Sequence, residues 1–141
     1  MLVRLLFASR AAAGIDAEAL ALILKQSKRN NQEQGVTGML CYSDNVFMQV
    51  LEGGRGVVNR TYNRIASDPR HSDVELLSYE EISERRFAAW SMGQVEVSRL
   101  NPALLLKYSE TATLDPYAVS GQASMALFDE LVATAAVCSS R

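Results

Sequence analysis

The chain has 141 residues, 48% of them apolar and 21% charged, which is the make-up of one packed domain and excludes disordered, collagen-like and disulfide-scaffold architectures. With 14 Lys and Arg against 16 Asp and Glu the net charge is −2, so no global positive field exists to hold nucleic acid by counterion release. Two cysteines, Cys41 and Cys138, make no disulfide framework and lack the spacing of a zinc site, which points to a reducing cytoplasm.

The apolar opening is interrupted by Arg4 and Arg10 and is too short to span a bilayer, so neither a targeting segment nor a membrane partner is expected. Residues 2–9, rich in Leu, Val and Phe, read as a strand buried on both faces. Asp16 caps the helix that follows, where Leu20, Ile23, Leu24, Ser27 and Asn31 recur at helical spacing until Gly35 stops it. Residues 36–42 and 46–52 are β-rich runs split by the turn formers Ser43, Asp44 and Asn45, hence a hairpin. Val58, Thr61, Tyr62 and Ile65 mark a second helix, closed at Asp68 because the residue before Pro69 is pushed out of the α region.

Further strands are expected at 74–82 and 92–97. The order β-α-β-β-α-β with one extra strand predicts an α+β, ferredoxin-like fold, its two helices on one face of a mixed sheet. Beyond Ser98 the character changes: Asn101-Pro102 opens a helix, and Leu127, Phe128, Leu131 and Val132 mark an amphipathic one. The chain thus divides into a domain of residues 1–97 and a C-terminal helical extension, 98–141, too short for its own core, which must dock on the domain or on a partner.

The single histidine, His71, follows the second helix and reads first as a cap or surface residue; no nucleophile–base pair can be assembled from motifs. Gly53-Gly54-Arg55-Gly56 lacks the lysine and the spacing of phosphate-binding glycine loops and reads as a strand-to-helix connection. The charged run 80–86 reads as a solvated strand end and loop. More informative are amides where apolar residues belong. Asn31, beside Asn30, continues the stripe of Ile23 and Leu24, and Gln49 interrupts an apolar strand. Periodicity alone favours the plain arrangement, with Asn31 capping its helix and Gln49 facing water. The alternative is that both point inward and hold a planar heterocycle clamped between the helices by Ile23 and Ile65.

Ser27-Lys28-Arg29-Asn30-Asn31, Gly35-Val36-Thr37-Gly38, Phe47-Met48-Gln49-Val50-Leu51-Glu52-Gly53, Asp68-Pro69-Arg70-His71 and Trp90-Ser91-Met92 together resemble the BLUF family of flavin-binding blue-light sensors. The resemblance runs from residue 2 to about residue 97, and the tail from Asn101-Pro102 is similar to that of the short stand-alone members. It implies a flavin (FAD, with FMN or riboflavin as alternatives) between the two helices. Ile23 and Ile65 would then pack on its faces and Asn31 and Asn30 hold its polar edge, with Arg64, Asp68, Arg70 and His71 towards the ribityl and phosphate end. Gln49 would be the switch amide, surrounded by Ser9, Trp90 and Met92.

One departure stands out. The family pattern carries a tyrosine two residues before the serine that here is Ser9, and this chain has Phe7. Phenylalanine fills nearly the same volume but has no hydroxyl, so flavin binding is expected to survive while the photocycle is blocked or altered. The leading expectation is a sensor and not an enzyme, cytoplasmic, homo-oligomeric, and signalling to a protein partner through its C-terminal helices. A light-independent flavin module is the alternative. An acyl-phosphate hydrolase on the same frame is a third reading, which leaves Gln49 and Trp90 unexplained.

Overall fold

The structure, a computed structural model, describes residues 1–134; Cys138 and the last part of the C-terminal extension lie outside the described residues. Its elements are β1 (Leu2–Ala11), α1 (Ala17–Gln34), β2 (Thr37–Ser43), β3 (Val46–Gly54), α2 (Arg55–Ser67), β4 (His71–Ile82), β5 (Gly93–Glu96), α3 (Pro102–Leu106) and α4 (Gly121–Ala133). The strands form one sheet in the order β4-β1-β3-β2-β5, antiparallel except for the parallel pair β2 and β5. This is the expected ferredoxin-like arrangement with one added strand.

The local signals act where the sequence puts them. Asp16 Oδ1 accepts the Ala19 N–H at 2.8 Å, and Gly35, at φ 69°, sends its own N–H to the Asn31 carbonyl and ends α1. Asp68 takes an extended conformation before Pro69 and closes α2. No loop separates β3 from α2: Gly53 and Gly54 are the last strand residues, and Arg55 and Gly56 the first of the helix. That leaves no glycine loop to cradle a phosphate.

Strand alternation divides the core in two. Val3, Leu5, Phe7, Leu40, Phe47 and Leu51 face α1 and α2, where Leu24 and Val58 meet them. Leu6, Met39, Cys41, Met48, Val50 and Val95 face the other way and are covered by Leu105, Leu127, Phe128 and Leu131 of the extension. The extension therefore docks on the domain, making the sheet the middle of three layers. Gly121 lets α4 lie against β4, since a Cβ there would fall 2.6 Å from the Leu77 carbonyl oxygen.

Two strands differ from expectation. β4 begins at His71 instead of residue 74, because β1 runs on to Ala11 and pairs with it; of the two irregularities in register, one skips Leu77 and the other falls at Asp73, at φ 50°. β5 is shorter than residues 92–97: Met92 precedes the ladder, and Val97–Arg99 turn into a 3₁₀ segment. No helix among the described residues is long and apolar enough to cross a membrane.

Candidate functional site

Between α1 and α2, above the sheet, lies a narrow cleft of about 20 Å³. Its apolar walls are Leu20, Ile23 and Leu24 from α1, Ile65 from α2, and Leu40 and Phe47 from the sheet; Ser27, Gln49, His71 and Met92 complete it. Ile23 and Ile65 thus share the cleft.

Gln49 is 6% exposed and Asn31 2%, so the plain arrangement favoured by periodicity is corrected: neither amide faces water. The helix cap at Asn31 uses its backbone carbonyl, while its side-chain Nδ2 donates to the Ser91 carbonyl at 2.7 Å. A polar side chain continuing an apolar helical stripe is carried inward with that stripe. Gln49 Nε2 donates to Met92 Sδ at 3.6 Å, and a thioether is a weak acceptor. Gln49 borders the cleft, whereas Asn31 lies outside its lining and is bonded to the loop that follows β4. Asn30, one residue along, is half-buried.

Phe7 lies opposite Gln49 in the β1–β3 register, is fully buried, and meets the edge of the Tyr62 ring of α2 at 5.3 Å. Two residues on, Ser9 is also fully buried, with Oγ 2.9 Å from His71 Nδ1. His71 is therefore neither a helix cap nor a surface residue. Its ring sits in the cleft wall beside Phe47, at 5.5 Å, and burial pushes its pKa below the ordinary value despite the opposing pull of Asp68. The Arg70 guanidinium grips Asp68 through Nε at 3.0 Å and Nη2 at 2.6 Å, and holds its carboxyl below the usual range. Arg70 Nη1 also reaches Gln26 Oε1 at 2.9 Å, which ties the end of α2 to α1. Arg64 is exposed in the last turn of α2.

Trp90 is not gathered with the others. It is half-buried and packs with the cluster on the far side of the sheet, so that Met92 is the member of the Trp90–Met92 pair that meets Gln49. Sequence reasoning did not single out Leu20, Leu24, Phe47 and Ser27 as lining. The signal was present: Phe47 shares the strand parity of Gln49, and the other three share the helical stripe of Asn31. On the far face, Cys41 is a buried thiol pushed up to about 12 by desolvation, unsuited to nucleophilic chemistry. Among the described residues no group of His, Cys, Asp or Glu is placed to hold a metal.

The lining suits a planar heterocycle with a polar rim: aliphatic side chains for its faces, and the buried amide of Gln49 with Ser27 and His71 as polar groups.

Comparison with known proteins agrees with this chemistry. The sequence profile of BLUF, described as sensors of blue-light using FAD, matches residues 2–93. The chain belongs to this family of flavin-binding blue-light sensors. It is 33% identical over 92 residues to the photoactivated adenylate cyclase subunit beta of Euglena gracilis, covering 64% of this chain and 11% of that one. It is 35% identical over 66 residues to the blue light- and temperature-regulated antirepressor BluF of Escherichia coli (strain K12), covering 47% of this chain and 16% of that one. The chain thus spans only about a tenth to a sixth of these curated relatives. Among solved structures, BlsA in its photo-activated state is similar with TM-score 0.84 and 32% identity, covering 94% of this chain and 95% of that one. BlrB, a BLUF protein in its dark state, gives TM-score 0.80 and 30% identity over 95% and 96% of the two chains.

Proposed function

We propose that this chain holds FAD in the cleft between α1 and α2 and serves as a sensory module whose C-terminal extension signals to a protein partner, with its photocycle blocked or altered at Phe7. The observation that carries the reading is Gln49, a buried amide in the wall of an apolar slot, whose Nε2 meets a thioether sulfur. The flavin, when bound, supplies absorption of blue light. Asn31, with Asn30 beside it, holds the polar edge, and Ile23 and Ile65 close on the two faces. Arg64 is an exposed cation for a phosphate, whereas Arg70 and Asp68 serve that end by joining the helices. His71, braced by Ser9, borders the same slot. FMN or riboflavin would fill the slot in the same way and lose only the contacts beyond the ribityl chain.

Gln49 is the side chain whose reorientation would alter the hydrogen bonds at the flavin edge. Its strand neighbour Phe7 offers it no hydroxyl and can neither release a proton nor hold the amide; Met92 sulfur is the group it meets. Residues 1–97 form the flavin unit in this reading, and the extension from residue 98 carries the output. The relatives that resemble it include an antirepressor and a cyclase subunit, which supports a protein partner without naming one.

Absorption spectra before and after blue light test the proposal in the unchanged chain and in Phe7→Tyr. The expected result is a flavin spectrum in both, unmoved by light in the first and shifted reversibly to the red in the second. Protein that stays colourless when flavin is supplied overturns the binding site; a full light response in the unchanged chain overturns the role given to Phe7. The tight packing of Phe7 against Tyr62 also suits a light-independent flavin module, and an unresponsive Phe7→Tyr variant would favour that reading.

A further inference from the structure

Glu52 is a fully buried carboxylate that the cleft does not use: strand alternation turns it, with Met48 and Val50, to the face opposite Gln49. Its partners are unusual in kind. Arg4, its cross-strand neighbour and only 6% exposed, reaches Oε2 through Nε at 2.8 Å and Nη2 at 2.7 Å, and reaches Glu80 through Nη1 at 2.7 Å. The other partners are two consecutive backbone amides: Arg86 N–H at 3.0 Å and Phe87 N–H at 2.6 Å. Consecutive main-chain donors aimed at one carboxylate fix both the place and the direction of the chain that carries them.

That chain is the irregular connection between β4 and β5. Its continuation supplies the protein partners of the two buried amides: the Ser91 carbonyl for Asn31 and the Met92 sulfur for Gln49. Its start is fastened to the extension, with Arg86 Nη1 2.9 Å from Asp129 and the Phe87 ring 6.1 Å from that of Phe128, both on α4. With no ladder or helix of its own, residues 86–92 take their position from such point attachments, and the one at Glu52 is buried and charged.

We infer that Glu52 is a positioning residue: it sets residues 86–92, and through them the buried amides of Asn31 and Gln49 on one face of the sheet and α4 on the other. The inference deepens the flavin-site reading and rests on it for its spectroscopic consequence. Two substitutions separate this role from a plain contribution of charge. Glu52→Gln keeps one oxygen within reach of both amides and loses the charge; its NH2 then faces the Arg4 guanidinium, donor against donor, and Arg4 retains Glu80. Glu52→Asp keeps the charge and draws the carboxylate back by roughly one C–C bond, about 1.5 Å, out of hydrogen-bond range of the two N–H groups.

Hydrogen exchange of residues 86–92 in the full chain, alongside its flavin absorption maximum, is the test. Glu52→Asp is expected to speed exchange there by about tenfold and move the absorption maximum, and Glu52→Gln to speed it by only about threefold, since the bonds become neutral. Equal or greater loosening in Glu52→Gln assigns the role to charge and overturns the inference. Unchanged exchange in both variants does so too, as does loss of the folded state in either, which makes Glu52 a support of the whole fold. Exchange reports on the segment with or without flavin, so a colourless protein would remove the flavin reading and still leave this measurement decisive.

Discussion

Both faces of the sheet bury polar side chains, and they provide for them in opposite ways. On the face covered by the extension, Glu52 accepts from the Arg4 guanidinium at Oε2, from the Phe87 N–H at Oε1 and from the Arg86 N–H at both oxygens, so each oxygen is matched by the protein alone. On the face covered by α1 and α2, Asn31 and Gln49 are almost as deeply enclosed, yet Asn31 donates to one carbonyl and Gln49 to a sulfur. Burial of polarity by itself therefore does not mark a binding site. What distinguishes Glu52 from Gln49 is the quality of the partners, a guanidinium and two N–H groups against a thioether sulfur; the buried Ser124 Oγ of α4, without a hydrogen-bond partner among the described residues, shows that the extension side is not uniformly matched.

The contrast can be broken most severely at Arg4. Arg4→Met leaves a buried carboxylate without its cation and should destabilise the chain by about 3–5 kcal/mol in urea denaturation, while the double change Arg4→Met with Glu52→Met should recover only part of that loss, because the Arg86 and Phe87 N–H groups then lack their acceptor. A single variant as stable as the unchanged chain would mean that the Glu52 side is not structural. The other face should answer differently. Gln49→Leu removes an amide with a poor partner and should alter stability by less than about 1 kcal/mol, yet abolish the light response restored by Phe7→Tyr. A large loss of stability would show that Gln49 is as fully matched as Glu52.

The smallest effect belongs to His71, at the edge of the cleft. Its folded-state pKa lies below the ordinary 6.5 because of burial, so the unfolded chain takes up a proton first as pH falls. Stability should be independent of this group above pH 6.5, decline as pH drops below it, and level off once the depressed folded value is passed. Thermal melts of His71→Gln should lack that decline, and an identical slope in both proteins would remove the assignment.

Much of this could be read from local chemistry. Asp16, Gly35 and Pro69 each act within one turn of chain, and strand parity is a property of neighbouring residues, so helix ends and the hairpin were legible without a fold. Helical phase allowed an inward Asn31 without deciding for it against a cap, because phase gives direction and not what covers that direction. Trp90 and Met92 show the limit more sharply. Residues 83–92 have no period, and the face to which each side chain turns is decided by bonds to Glu52, Asn31 and Gly38, all distant in sequence. The pairing of Arg4 with Glu52 was equally hidden until the β1–β3 register was known.

The close seat of Gly121 on β4 gives the molecule a mechanical fulcrum. Any side chain at that position would act as a wedge between the Leu77 carbonyl and the start of α4. The helix would tip away at one end while the slot on the opposite side of the sheet kept its lining. A methyl group at residue 121 would thus press on the extension from the face of the sheet opposite the slot that Gln49 lines.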